Sequence, residues 1–285
     1  MPYTLYELAN GQQFHYDTLD NSIRSGGELL NLPPLHSPEW YETEAARHGT
    51  GKKTNTPIAV RLLLGHACNY SCVYCMQKDI GNPLERGRNM QMDKFKEQFK
   101  DNLDLSRLKR VELWGGEPFL YWKDMVEIIE MTDAPGREFF ISTNGSAIRQ
   151  KHVDYFAKMK GVVLINISHD GPEHETLRGE DILNNIVSIN MLKQLADLSP
   201  RVQYGFGCVV SKTNYDLYKI NDFFKEVERK IGIPDLKLTF IPAKNYDATN
   251  SENSADHVIN GDDLVKFNEI MGRFIEDCLK DPDRK

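Results

Sequence analysis

A chain of 285 residues, 40% hydrophobic and 27% charged, is long enough for one α/β barrel-type domain with a short extension, and its composition excludes disorder throughout. Its formal charge of -7 offers no general attraction to phosphate backbones or anionic membranes, so nucleic acid is not expected as a partner. No apolar run reaches the roughly 20 residues of a membrane span, and the start MPYTLYELANGQ lacks a basic stretch followed by an apolar core. No membrane association and a cytoplasmic location are therefore expected.

In chain order, residues 1–57 carry frequent Gly, Pro, Ser and Asn without a sustained period, and are predicted to be an irregular N-terminal extension. From residue 58 to 285, apolar runs of strand length alternate with helical patterns. The predicted strands are IAVRLLLG from Ile58, RVELWGG from Arg110, EFFISTNG from Glu138, VVLINISHDG from Val162, VQYGFGCVV from Val202 and LKLTFIPA from Leu236. Helices are predicted near 93–105, 122–132, 149–159, 182–197, 215–230 and 262–280. The helix at 182–197 is expected to gather Ile182, Leu183, Ile186, Val187, Ile189 and Leu195 largely on one face. Regular β-α alternation implies a right-handed parallel sheet, either open or closed as a full or partial barrel. Six units favour a partial (β/α)6 TIM-like barrel, and ligands in either architecture sit at the carboxyl ends of the strands.

The cysteine count is five, and Cys68, Cys72 and Cys75 crowd into HACNYSCVYCMQ just after the first predicted strand. An odd count with such clustering fits metal binding better than disulfides. Cys208 and Cys278 are expected to be core residues, the latter on a helical face with Met271, Phe274 and Ile275. Three thiolates leave one coordination position open, whether on zinc or on a four-iron cubane. A zinc site completed by His66 or a distant residue is one alternative, although no second Cys-x-x-Cys pair is present. Further candidates end the next three strands. In WGGEP, Gly115 and Gly116 would allow close approach of a ligand, and Glu117 could accept hydrogen bonds from an ammonium group. In ISTNG, Ser142 and Asn144 offer hydroxyl and amide partners, with an Asn-Gly turn as the plainer reading. In SHDGPEHETLR, Asp170 could face a substrate as proton acceptor, or serve an ordinary Asp-Gly-Pro strand exit.

The pattern Cys-x-x-x-Cys-x-aromatic-Cys after a first strand, with Tyr74 as the aromatic, resembles the signature of the radical S-adenosylmethionine (radical SAM) superfamily. The resemblance implies a [4Fe-4S] cluster held by Cys68, Cys72 and Cys75, with S-adenosyl-L-methionine chelating the fourth iron. It further implies that Gly115, Gly116, Glu117 and Pro118 hold the methionine amino group, that Ser142 and Asn144 also contact the cofactor, and that Ser168 and Arg178 meet its ribose and carboxylate. His169 departs from the apolar residue more usual there. The implied activity is reductive cleavage of S-adenosylmethionine to a 5′-deoxyadenosyl radical that abstracts a substrate hydrogen, fed by an electron donor such as flavodoxin or ferredoxin. WGGEP, Ser-x-Asp-Gly-Pro, VVSKTN and FIP are similar to SPASM-type members that modify peptides or proteins, although no cysteine-rich extension follows the barrel. Either that extension is absent or the sequence is a fragment. A radical enzyme acting on a small molecule or nucleotide, and a non-catalytic iron-sulfur scaffold, are the alternatives.

Overall fold

The computed structural model describes the strand residues 3–7, 13–17, 22–25 and 28–30, together with residues 56–75, 77, 92–233, 236–243 and 257–281. The chain divides into two compact units, one comprising Asn55–Phe267 and the other Met1–Thr54 with Asn268–Lys285.

In the second of these, strands β1 (Tyr3–Glu7), β2 (Gln13–Asp17), β3 (Ser22–Ser25) and β4 (Glu28–Leu30) form an antiparallel sheet in chain order. Within residues 3–30 this differs from the expected irregular segment 1–57, of which residues 31–55 lie outside the described residues. Strands of three to five residues end before a period of two can establish itself, and backbone pairing with neighbours supplies the order that no single stretch displays. In the same unit Phe274 is buried, Cys278 is half-buried and Met271 and Ile275 are exposed, so the expected core face of that helix holds at Phe274 and not at Met271 or Ile275.

The unit Asn55–Phe267 holds six strands: β5 (Ala59–Leu63), β6 (Arg110–Trp114), β7 (Glu138–Thr143), β8 (Val162–Ser168), β9 (Val202–Val210) and β10 (Lys237–Pro242). Every neighbouring pair is parallel and spatial order follows chain order, the arrangement of a partial (β/α)6 barrel. The helices are α1 (Met92–Asn102), α2 (Trp122–Thr132), α3 (Gln150–Phe156), α4 (His174–Leu177), α5 (Ile186–Asp197), α6 (Leu217–Ile231) and α7 (Gly261–Lys280). Residues of α2, α3, α5 and α6 pack on one face of the sheet. There Val111, Leu113, Phe139, Ile141, Val163, Ile165 and Ile167 are buried in one core with Met125, Ile128, Phe156, Leu192, Ile220 and Phe224. Alternate strand positions, including Arg110, Glu112, Phe140, Ser142, Asn166 and Ser168, lie half-buried on the opposite face. That face is polar for a parallel sheet: Arg110 Nε pairs with Glu112 at 3.0 Å, and its guanidinium lies 4.9 Å from the Phe140 ring centre.

Where one helix was expected over 182–197, there are two elements. A 3-10 turn, Ile182–Asn184, is capped by the Asp181 carboxylate, and Asn185 then caps α5 by accepting from the amides of Val187 and Ser188. The break shifts the helical phase. Ser188, Ile189, Met191, Leu192 and Leu195 are buried, whereas Ile186 and Val187 are exposed rather than part of the core face.

Candidate metal centre

The cysteine loop is an extension of the β5–β6 pairing. Beyond β5 the Leu64 amide donates to Trp114 O (2.9 Å), the Gly116 amide to Gly65 O (2.8 Å) and the Glu117 amide to Ala67 O (2.9 Å). A Cβ on Gly116 would lie 2.1 Å from Ala67 O, and one on Gly115, whose φ is +150°, would lie 2.5 Å from Gly65 O. The close approach these glycines allow is therefore that of the cysteine loop itself. Tyr121 completes the dock, its hydroxyl accepting from the Ala67 amide at 2.6 Å. Pro118 is buried at the start of the 3-10 turn Pro118–Tyr121, where its fixed φ suits a helix start.

Three sulfurs are thus presented at the carboxyl edge of the sheet: Cys72 buried, Cys75 half-buried, Cys68 exposed. Cys68 Sγ accepts from the Tyr70 amide (3.4 Å) and from Asn144 Nδ2 (3.9 Å), and Cys72 Sγ from Arg178 Nη1 (3.8 Å). Burial pushes the Cys72 thiol up to about 11 against the opposing pull of the Arg178 guanidinium, and burial also raises Cys68. Binding iron or zinc would displace those protons, since the thiolate is the ligand. Among the described residues, the metal-capable atoms that crowd within 4.8 Å of one another are those of His169, His174 and Asp181, not the cysteines. The three cysteine sulfurs do not all lie within 4.8 Å of one another. The donor set, three thiolates with N–H donors on Cys68 and Cys72, fits an iron-sulfur cluster with one corner left for another ligand.

Glu117 is fully buried, and its carboxylate already holds three donors. Oε1 accepts from the Phe119 amide (3.1 Å) and Thr143 Oγ1 (2.6 Å), and Oε2 from the Asn144 amide (2.8 Å). Burial raises its pKa, and these hydrogen bonds restrain the rise. The side chain expected to receive an ammonium group therefore ties the end of β6 to the end of β7. Thr143 was missed by the sequence reading, which named its neighbours, yet it shares the inward face with the buried Phe139 and Ile141. Asn144 faces the cysteine loop, its Nδ2 donating to Asn69 Oδ1 at 2.9 Å, while Ser142 and Ser168 lie on the polar face at the ends of their strands.

Asp170 departs furthest from expectation. It is completely buried, and its carboxylate accepts from Tyr74 Oη, from Arg178 Nε (2.9 Å) and Nη2 (3.1 Å), and from the Val209 amide (2.9 Å). With every lone pair committed, it is an anchor for Arg178 and Tyr74, not a base open to a substrate. Burial opposes the Arg178 charge, but Tyr74, Asp170 and Cys72 outweigh it and hold its pKa above the ordinary value.

The His169, His174 and Asp181 trio is also fully committed. His169 Nδ1 accepts from the Gly171 amide (3.0 Å), leaving Nε2–H for Asp181 Oδ1 (2.9 Å). His174 Nδ1 accepts from the Asp170 amide (3.3 Å), leaving Nε2–H for Glu180 O (3.1 Å). Neither ring has a lone pair to give a metal, and the two stack at 4.0 Å to brace the β8 loop.

Residues 62–198 match the family described as the radical SAM superfamily. Over 212 residues the chain is 26% identical to radical SAM cyclopropyl synthase TigE of Paramaledivibacter caminithermalis, covering 66% of this chain and 44% of that protein. Over 133 residues it is 33% identical to a GTP 3′,8-cyclase of Stenotrophomonas maltophilia, covering 45% and 39%. Its fold resembles that of Streptococcus suis SuiB solved with the precursor peptide SuiA (TM-score 0.54, 17% identity, 82% of this chain and 49% of that one). The chain thus spans less than half the length of these relatives.

Proposed function

Because residues 62–198 match the radical SAM superfamily, we propose that this chain binds a [4Fe-4S] cluster and S-adenosyl-L-methionine and acts as a radical enzyme on a peptide or protein. The observation that carries the reading is the docking of a three-thiol loop onto WGGEP by backbone hydrogen bonds, which fixes Cys68, Cys72 and Cys75 at the strand ends. Cys68, Cys72 and Cys75 would hold the cluster, which would supply the one-electron reduction, with the electron coming from a flavodoxin- or ferredoxin-type donor, that splits S-adenosylmethionine into methionine and a 5′-deoxyadenosyl radical able to remove a substrate hydrogen. The chain's own part is placement. Asn144 and the Tyr70 amide orient Cys68, Arg178 orients Cys72, and Ser142 and Ser168 on the polar sheet face are positioned for the polar parts of the nucleotide.

A peptide substrate is favoured by the likeness to SuiB, whose structure holds a precursor peptide. A nucleotide substrate is the second reading, favoured by the relatives named GTP 3′,8-cyclase. The test is anaerobic reconstitution with iron and sulfide, reduction with dithionite in the presence of S-adenosylmethionine, and chromatography for 5′-deoxyadenosine. Replacing any of Cys68, Cys72 or Cys75 by Ala should abolish both the visible absorbance of the cluster and the product, whereas Cys208→Ser, at a buried position in β9, should retain both. Equal loss in all four variants overturns the ligand assignment. A cluster without product above the Cys72→Ala control makes the protein an iron-sulfur scaffold.

A further inference from the structure

We propose that Arg178 sets the reduction potential of the cluster by holding a fixed cation and an N–H donor against Cys72 Sγ. The inference rests on the cluster reading above and gives Arg178 a role other than meeting the cofactor carboxylate. Its Nη1 lies 3.8 Å from the sulfur, while Nε and Nη2 grip Asp170 at 2.9 and 3.1 Å, so the guanidinium has one orientation. Asp170 is itself immobilised by Tyr74 Oη and the Val209 amide, and Asn214 Nδ2 donates to its carbonyl at 2.9 Å. The Tyr74 ring, with its centroid 5.4 Å from the guanidinium carbon, closes the remaining side. Arg178 is 9% exposed and Asp170 0%, and Cys72 is the buried member of the three thiols. Cys68, by contrast, is exposed and receives neutral amide donors.

One-electron reduction makes a cluster more negative without forming or breaking a bond. A cation and a hydrogen bond at a ligand sulfur stabilise the reduced form, and low solvent exposure magnifies the effect. Arg178 and Asp170 are neutral as a pair, but the pair is polar, and its cationic end meets the sulfur. Removing either partner must therefore shift the potential in opposite directions, which mere loosening of the site would not do. Arg178→Gln leaves a buried carboxylate behind and makes reduction harder. Asp170→Asn leaves the cation uncompensated and makes it easier.

The experiment is a dithionite titration of the reconstituted chain without S-adenosylmethionine, followed by electron paramagnetic resonance, for the wild type, Arg178→Gln, Arg178→Lys and Asp170→Asn. Arg178→Gln should lower the equilibrium constant for reduction at least tenfold, about 59 mV for a one-electron couple. Asp170→Asn should raise it, and Arg178→Lys, which keeps the charge, should fall between the wild type and Arg178→Gln. Wild-type potentials in both charge-removing variants, or shifts of the same sign, overturn the proposal. Should Arg178→Gln fail to assemble a cluster, the direction in Asp170→Asn decides alone. A wild-type chain that takes up no iron and sulfide overturns the cluster reading and this inference together, whereas a cluster indifferent to the variants overturns only the latter.

Discussion

Glu117 shows how a residue legible as functional also carries a structural duty once folded. A buried carboxylate receiving three hydrogen bonds is stabilised as an anion despite desolvation, and each donor it satisfies would otherwise be left without a partner. Glu117→Ala is accordingly expected to lower unfolding free energy by about 3 kcal/mol or more, since orphaned buried groups cost roughly 1–3 kcal/mol each. Thr143→Val should cost about 1–2 kcal/mol, and the double variant less than the sum, because both substitutions break the same hydrogen bond. Urea unfolding of the four proteins measures this. Additive losses would show that the Thr143–Glu117 contact contributes nothing of its own. Asp170 follows the same logic: the motif marks a place of importance, but four converging donors make it a brace.

At the level of elements, the metal loop depends on its seam with β6. Gly116 has no room for a methyl group, whose carbon would sit 2.1 Å from a backbone oxygen that cannot rotate away. Gly116→Ala should therefore detach the cysteine loop while leaving the sheet, whose strands pair independently of the seam, intact. The expected outcome is an unchanged far-ultraviolet circular dichroism spectrum together with loss of most of the cluster absorbance after reconstitution. Retention of full absorbance would show that the seam is not what positions the thiols. The alternation of strands and helices was legible because β6 to β9 carry long apolar runs, and α6 is bounded by clear signals. Asp216 accepts from the Lys219 amide at its start, and Gly232 takes a φ of 70° at its end. The start of α5 was not legible, because Ile186 and Val187 continue an apolar pattern across a break that only the caps of Asp181 and Asn185 create.

For the whole molecule, two buried histidines link stability to pH. Burial lowers the pKa of His152 and of His174 to about 4, so both are neutral in the folded chain. Unfolded imidazoles titrate near 6.5, so between about pH 6.5 and 4 the unfolded chain binds protons that the folded one does not. Stability from these groups is complete above that window and falls as pH drops through it, by on the order of 1–3 kcal/mol per histidine. The urea midpoint should be lower at about pH 4.5 than at about pH 7, and His152→Gln, which can still accept from the Arg149 amide, should show a smaller loss. An identical loss in the variant would remove His152 from the account.

By itself the sequence determined the period of the elements, hence a parallel α/β sheet, and the grouping of three thiols, because both are properties of neighbours along the chain. Which groups those motifs meet was decided only by tertiary structure. Glu117 lies 26 residues from Thr143, Cys72 lies 106 from Arg178, and Asp170 lies 39 from Val209. Such hydrogen bonds depend on how the strand ends converge in space, and no local spacing encodes that convergence. The four short N-terminal strands follow the same rule, since strands of three to five residues take their order from pairing with one another.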